Sequence, residues 1–272
     1  YLAMRTLLGF GCGKRAFAAK FMEFDHSDQY ELAKLLRKTM AHDSAAMQEL
    51  NDAGQRLATL TEEVGALLAP LGLELVTQGS LGIAEAEEPH HTFLENALAK
   101  ARHAAQACGG AALADDSGLC VPALGGAPGV ISAHFGGVVR ADPSGTEDRE
   151  SLRRRQDAAN NTLLLQRLHS ATDRRAAFVC TLVAVRSAAD PEPLIAFGRW
   201  GGEILAAPQG QGGFGYDPLM FIPAFGCTVA ELPAETKNAH SHRALAAVQM
   251  VERLRNEMQD RDGCVSQCSL FV

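Results

Sequence analysis

No run of about 18 apolar residues occurs in the 272-residue sequence, which excludes a membrane-spanning helix. Basic residues are not in excess either: the formal net charge of -7 argues against a general nucleic-acid or anionic-membrane surface, while leaving room for a local basic pocket. The seven cysteines are scattered and odd in number. Only Cys264 and Cys268 lie close together, and no His or Cys pair completes a zinc site around them. Tyr1 to Ala19 has no apolar signal core, because Gly9 to Arg15 interrupts it, so the expected setting is the reducing cytoplasm. Internal repeats are absent. What remains, 47% hydrophobic and 21% charged residues, is ordinary for a soluble globular chain long enough for one large or two small domains.

The pattern divides the chain into a helical extension over 1–56, a main domain over 57–258 and an irregular tail over 259–272. In the extension, Gly9, Gly11, Gly13 and Lys14 form a glycine cluster that either cradles phosphate or simply turns, since it has neither the spacing nor the Ser/Thr of a Walker loop. In the main domain, Leu73 to Thr77 alternates as a short strand. Thr92 and Glu95 have the spacing of a capping box, and the helix they open stops at Gly109 and Gly110. Ala111 to Ala114 then reads as a short buried strand that ends at Asp115 and Asp116. Strand, helix and strand in alternation indicate an α/β fold. Residues 138–158 read as a charged, exposed insertion before a helix at Ala159 to Leu168. Phe178 to Arg186 and Leu194 to Ile204 form a long hairpin, and Leu219 to Ile222 a further strand. The last helix opens at Ser241 and carries Leu245, Val248, Val251 and Leu254 at helical spacing.

Four groups of residues carry chemistry. Glu87 and Glu88 end one segment, and Asp115, Asp116, Ser117 and Gly118 end another; alone, the latter is equally an Asp-Ser-Gly surface turn. Adjacent carboxylates at a strand end call for neutralisation, and Mg2+ takes oxygen ligands from one or two of them while leaving room for phosphates. Lys237, His242 and Arg243 bracket the start of the last helix, where backbone N–H groups favour an anion. Gly210, Gly212, Gly213 and Gly215 crowd around Phe214 and Tyr216, allowing close approach of backbone to a ligand. Carboxylates for a metal, cations for phosphates and an aromatic for a flat ring are together the parts of a nucleotide site.

From Leu67 to Leu254 the chain resembles the inosine triphosphatase family, the pyrophosphatases of non-standard purine nucleoside triphosphates. The stretches that carry the resemblance are Thr92-Phe93-Leu94-Glu95-Asn96-Ala97 with Lys100-Ala101-Arg102, Ala114-Asp115-Asp116-Ser117-Gly118-Leu119 and Leu124-Gly125-Gly126-Ala127-Pro128-Gly129 with Ser132-Ala133. Gly212-Gly213-Phe214-Gly215-Tyr216-Asp217-Pro218 and Ser241-His242-Arg243 complete the set. The resemblance implies a twisted mixed sheet with flanking helices, two lobes around a central cleft, and a homodimer. It implies Mg2+-dependent hydrolysis of inosine, deoxyinosine and xanthosine triphosphates to the monophosphate and pyrophosphate. By the same resemblance Asp116 is the general base and shares a metal with Glu88, Asp115 supports that pocket as a further metal residue, and Ser117 contacts substrate. Lys100 and Lys237 then hold phosphates, Phe214 stacks on the base, and Gly215, Tyr216 and Asp217 shape its pocket. His242 and Arg243 read the six-position keto oxygen.

The family opens with a strand and a loop whose Asn and Lys grip the triphosphate. Here Leu57-Ala58-Thr59 matches the end of that strand, but Leu60-Thr61-Glu62-Glu63 follows where the loop belongs. Glutamates repel phosphate, so weakened triphosphate binding is expected, and the alternative is a homologue that binds purine nucleotides or dimerises without turnover. Two substitutes for the loop are Gly11, Gly13 and Lys14, and Asn51, Ala53, Gly54 and Gln55, the latter without a lysine.

Overall fold

The computed structural model describes residues 74–78, 80–140, 149–260 and 269–271, all within the second of the chain's two units, Thr59–Val272. The expectations for 1–56 and for the segment 57–63 fall outside the described residues. Seven strands among the described residues make one mixed sheet. They are β1 (Glu74–Val76), β2 (Ala112–Cys120), β3 (Arg175–Val185), β4 (Leu194–Ile204), β5 (Met220–Ile222), β6 (Cys227–Thr228) and β7 (Ser269–Phe271), in the order β1-β7-β2-β3-β4-β5-β6. The β1–β7 and β7–β2 pairs are parallel and the others antiparallel. Helices α1 (Phe93–Cys108), α2 (Arg149–Arg167), α3 (Ala234–His240) and α4 (His242–Asp260) flank it, as expected for an α/β domain.

Helix α1 begins and ends where its sequence dictates. The Thr92 side chain accepts from the Glu95 N–H at 3.2 Å and donates to Glu95 Oε2 at 2.6 Å, meeting one of the orphan donors of the first turn. Gly109 stops the helix at φ 72, its N–H returning to the Ala105 carbonyl, a conformation that costs glycine nothing. The buried side of α1 is made of Ala97, Ala101, Ala104 and Ala105, which pack with Ala112, Val183 and Val185 of the sheet. On the alternate positions Leu113, Leu182 and Ala184 pack with Ala246, Ala247 and Met250 of α4. Since side chains of a strand alternate between faces, α1 and α4 cover opposite faces of the same strands. A third cluster, with Leu119, Phe178, Trp200, Tyr216 and Met220, fills the far end of the sheet.

Four expectations need correction. The strand expected at Ala111 to Ala114 does not stop at Asp115. β2 runs on through Asp115, Asp116, Ser117 and Gly118 to Cys120, paired residue by residue with β3 (Asp115↔Leu182, Asp116↔Thr181, Ser117↔Cys180). A continuous ladder, with cations waiting on either face, outweighs the low strand preference of Asp and Gly. Part of the supposed insertion at 138–158 is helix: α2 starts at Arg149, and Gln156 and Asn160 are buried in it. Their amides do the work of a hydrophobic face by binding backbone, Gln156 at Gly137 and Val139 and Asn160 at Ala133 and Gly136. The tail supplies β7, inserted between β1 and β2. Finally, α4 buries Ala246, Ala247, Met250 and Val251, whereas Leu245 and Val248 are 40% and 56% exposed. The helix lies too near the sheet for large side chains at its point of closest approach, where Gly198 of β4 faces His242 and Ala246.

Candidate active site

Alternation along β2 decides the geometry. Asp116 is buried at 6% exposure on the α1 face, where Asn96 Nδ2 donates to its Oδ2 at 3.2 Å and Lys100 Nζ to its Oδ1 at 3.0 Å. Lys100 also reaches Glu88 Oε1 at 2.7 Å and the Asp115 backbone carbonyl at 3.1 Å. Burial lifts the Asp116 carboxyl above its usual range, with Lys100 and Asn96 only partly offsetting it. Burial would lower Lys100, but Glu88 and Asp116 outweigh it and hold the ammonium charged. Asn96 is the residue that sequence reasoning passed over. Fully buried, it also accepts from the His90 N–H at 3.0 Å, so one amide ties the segment carrying Glu88 to Asp116. Its place inside the Thr92–Ala97 motif, on the inward side of α1, is the signal that could have found it.

Asp115 faces the other way. Its Oδ2 accepts from Arg243 Nε at 3.3 Å and from Ser117 Oγ at 3.2 Å, and Arg243 Nη2 donates to Ser117 Oγ at 2.7 Å. The expectation of three carboxylates around one metal is therefore revised: Glu88 and Asp116 converge, while the Asp115 carboxylate belongs to Arg243. By the same alternation Arg243 lies on the opposite face of β2 from Asp116. Beside Arg243, His242 is buried and stacks on Phe178, ring centroids 5.1 Å apart. Burial, then Arg243 and Lys237, push its imidazole well below the usual histidine range, so it is neutral, and its Nδ1 is buried without a hydrogen-bond partner among the described residues.

The glycine-rich loop closes this second face. Asp217 Oδ2 accepts the Phe214 N–H at 2.9 Å and the Lys237 ammonium at 2.6 Å. Gly213, at φ 71, lies against the Asp217 carboxylate, where a side chain would collide. Lys237 Nζ stands 4.4 Å from the centre of the Phe214 ring and Arg153 Cζ 4.9 Å from it. Lys237 was expected with the phosphate groups; in the structure its ammonium binds Asp217 and lies over the Phe214 ring. Tyr216 was expected to shape the pocket, but its ring is buried in the core and its hydroxyl donates to the Ser132 carbonyl at 2.8 Å. Ser132 in turn anchors the end of β2, its Oγ accepting from the Leu119 N–H at 2.9 Å. Asp157 and Asn161 of α2 hold both backbone groups of Gly215, at 2.8 and 3.0 Å. Arg153 and Asp157 were missed because 138–158 read as an insertion, and Asn161 because the helix expected at Ala159 to Leu168 was not tied to the loop; the spacing of four that joins all three was the available sign.

Among the described residues no three His, Cys, Asp or Glu side chains group as a metal cage, and no helix is long and apolar enough to cross a membrane. The donor chemistry nonetheless fits a hard cation on the α1 face, where two carboxylates converge on a single positive charge, that of Lys100.

The fold is a mixed α/β sheet whose second strand sends one carboxylate to a lysine and the next to an arginine, beside a cation-flanked aromatic, a set of groups whose chemistry suits an anionic ligand with a flat ring. The chain belongs to the Ham1 family, whose model matches residues 60–253. It is 69% identical over 195 residues to the dITP/XTP pyrophosphatase of Leptothrix cholodnii, covering 72% of this chain and 92% of that one. The dITP/XTP pyrophosphatase of Methylibium petroleiphilum is 68% identical over 193 residues, covering 71% and 91%. Among solved structures, a HAM1 protein from Coxiella burnetii superposes with a TM-score of 0.63 at 38% identity, covering 74% of this chain and 94% of its own.

Proposed function

We propose that this chain hydrolyses deoxyinosine, inosine and xanthosine triphosphates to the monophosphate and pyrophosphate, as a cytoplasmic homodimer that uses Mg2+. The observation that carries the reading is the buried Asp116, gripped by Asn96 and Lys100 and lifted toward neutrality by burial. Such a carboxylate takes a proton more readily than an exposed one. β2 pairs with β7 only at Ala112↔Phe271, so at Asp115–Ser117 no described strand borders that edge. Phosphates then face Lys100 on one side of β2, and the base faces Arg243 and Phe214 on the other.

Glu88 and Asp116 would hold Mg2+, which when bound neutralises phosphate charge and makes water more acidic. The residues of the chain do the rest. Water attacks the α-phosphorus, the bond from that phosphorus to the bridging oxygen breaks, pyrophosphate leaves, and the proton of the water passes to Asp116. Lys100 offsets charge on the phosphate oxygens. On the other face Phe214 supplies the platform for the base. Arg243, fixed by Asp115 and Ser117, and neutral His242 present the polar groups that a six-keto purine satisfies and adenine leaves unpaired.

The test is release of pyrophosphate, not orthophosphate, from deoxyinosine triphosphate by the purified chain, abolished by a chelator. Asp116→Asn lowers kcat by about 10²–10⁴ with the melting temperature kept. Turnover undiminished in that variant rejects the mechanism. The second reading, nucleotide binding without turnover, draws on Glu62 and Glu63 at the place of the family's Asn and Lys. Saturable inosine monophosphate binding with no pyrophosphate released by the unaltered chain would favour it.

A further inference from the structure

Helix α2 runs past the glycine-rich loop with Arg153, Asp157 and Asn161 spaced four apart, hence on one side of the helix. Each touches the loop. Asp157 Oδ2 accepts the Gly215 N–H at 2.8 Å, and Asn161 Nδ2 donates to the Gly215 carbonyl at 3.0 Å. A loop residue held by both backbone groups, one of them through a charged acceptor, cannot drift from the helix without losing two bonds. The third contact is different in kind. The Arg153 guanidinium carbon is 4.9 Å from the centre of the Phe214 ring, and Arg153 is solvent-exposed. Lys237, the other cation at that ring, is already committed to Asp217 at 2.6 Å.

We propose that Arg153 is a specificity-determining contact of the purine site, favouring xanthine over hypoxanthine, while Asp157 and Asn161 act as positioning residues for the loop. The proposal rests on the reading of Phe214 as the base platform. A guanidinium is planar, lies readily against an aromatic ring and carries its N–H donors around its rim. A purine stacked on Phe214 brings its edge within reach of those donors. Xanthine has a keto oxygen at C2, where hypoxanthine has only hydrogen, and is the more acidic base. It therefore offers an acceptor and negative charge to the guanidinium, whereas hypoxanthine offers neither at that edge. A site that donates to an oxygen discriminates against the analogue without it.

Steady-state kinetics on the full chain with xanthosine and inosine triphosphates test this. Arg153→Met lowers kcat/KM for the xanthosine substrate about tenfold more than for the inosine one, mainly through KM. Arg153→Lys, which keeps the charge but not the plane, recovers part of that ratio. Asp157→Ala lowers kcat/KM for both substrates by the same factor, leaving the ratio unchanged. An unchanged ratio in Arg153→Met overturns the assignment of Arg153. Phe214→Ala separates this from failure of the underlying reading: if it leaves both substrates unaffected, the base platform is wrong. If it impairs both while Arg153→Met leaves the ratio intact, only Arg153 has been misassigned.

Discussion

Gly198 is where the sheet admits the start of α4, and replacing it with alanine tests the proposed role of the face that carries His242 and Arg243. A Cβ at this position would lie 2.7 Å from Ala246 N and 2.8 Å from His242 C, and closer still to the His242 carbonyl oxygen. All three are helix backbone atoms, so no rotamer change relieves the collision. Ordinary contact begins at 3.4 Å, so the first turn of α4 must retreat by more than about 1 Å to clear the His242 carbonyl oxygen. The bond from Arg243 Nε to Asp115 is already long at 3.3 Å and breaks first, followed by the 2.7 Å bond to Ser117. Overpacking of this kind costs roughly 1–3 kcal/mol, or a fall in Tm of roughly 3–10 °C for a domain of this size. Displacement of Arg243 and His242 also costs activity: kcat/KM for deoxyinosine triphosphate falls about 10–100-fold. Gly201→Ala is the matched control, on the same strand with nothing within 4 Å of the added atom. Thermal melts and pyrophosphate release on both variants decide it. If Gly198→Ala matches Gly201→Ala in Tm and kcat/KM, α4 does not depend on this contact.

The β3–β4 hairpin is pinned by Asp190, which accepts from Arg186 N and Nε at 2.9 Å, from Arg186 Nη2, and from Glu192 N at 3.0 Å. Chiefly through the Arg186 side chain, its carboxyl is held well below the usual carboxylate range, so its stabilisation is complete above about pH 4 and is lost as pH falls through the folded-state value. Asp190→Asn should lower Tm by roughly 2–4 °C at pH 7, with the gap closing in acid; a gap unchanged from pH 7 to 3 would falsify the ion-pair account. The homodimer is checked by sedimentation. Leu245 and Val248 lie exposed on one side of α4, and Val248→Glu should shift a dimer toward monomer. A monomeric unaltered chain ends that part of the proposal.

Much of the fold was legible because its signals are local. Thr92, Glu95 and Gly109 mark both ends of α1, and the β-rich runs on either side of Ser187 to Pro193 mark the hairpin. What failed were elements stabilised from a distance. β2 continues through Asp115 to Gly118 because β3 supplies a ladder for it, and nothing within those four residues announces a strand. The second half of α2 was legible at Ala159 to Leu168, but its first turns were not, because buried Gln156 and, one turn on, Asn160 hydrogen-bond to loop backbone in place of an apolar stripe. β7 is three residues long and draws its stability from the strands it joins, β1 and β2.

For the site, residue types and order could be read but not sides. Asp115 and Asp116 are adjacent in sequence, and adjacency in a turn would have let them share a metal. Adjacency in a strand does the reverse, sending one carboxylate to Arg243 and the other to Lys100. The two are therefore not interchangeable. Under the proposed mechanism, loss of the Asp116 carboxylate removes the proton acceptor beside Lys100, whereas loss of the Asp115 carboxylate loosens Arg243. The proposed division between chemistry and recognition rests on one alternation of the backbone, and a slip of β2 by a single residue against β3 would exchange the two carboxylates. The residue-by-residue pairing of β2 with β3, nine pairs long, is what holds that register and so keeps the two carboxylates on opposite faces.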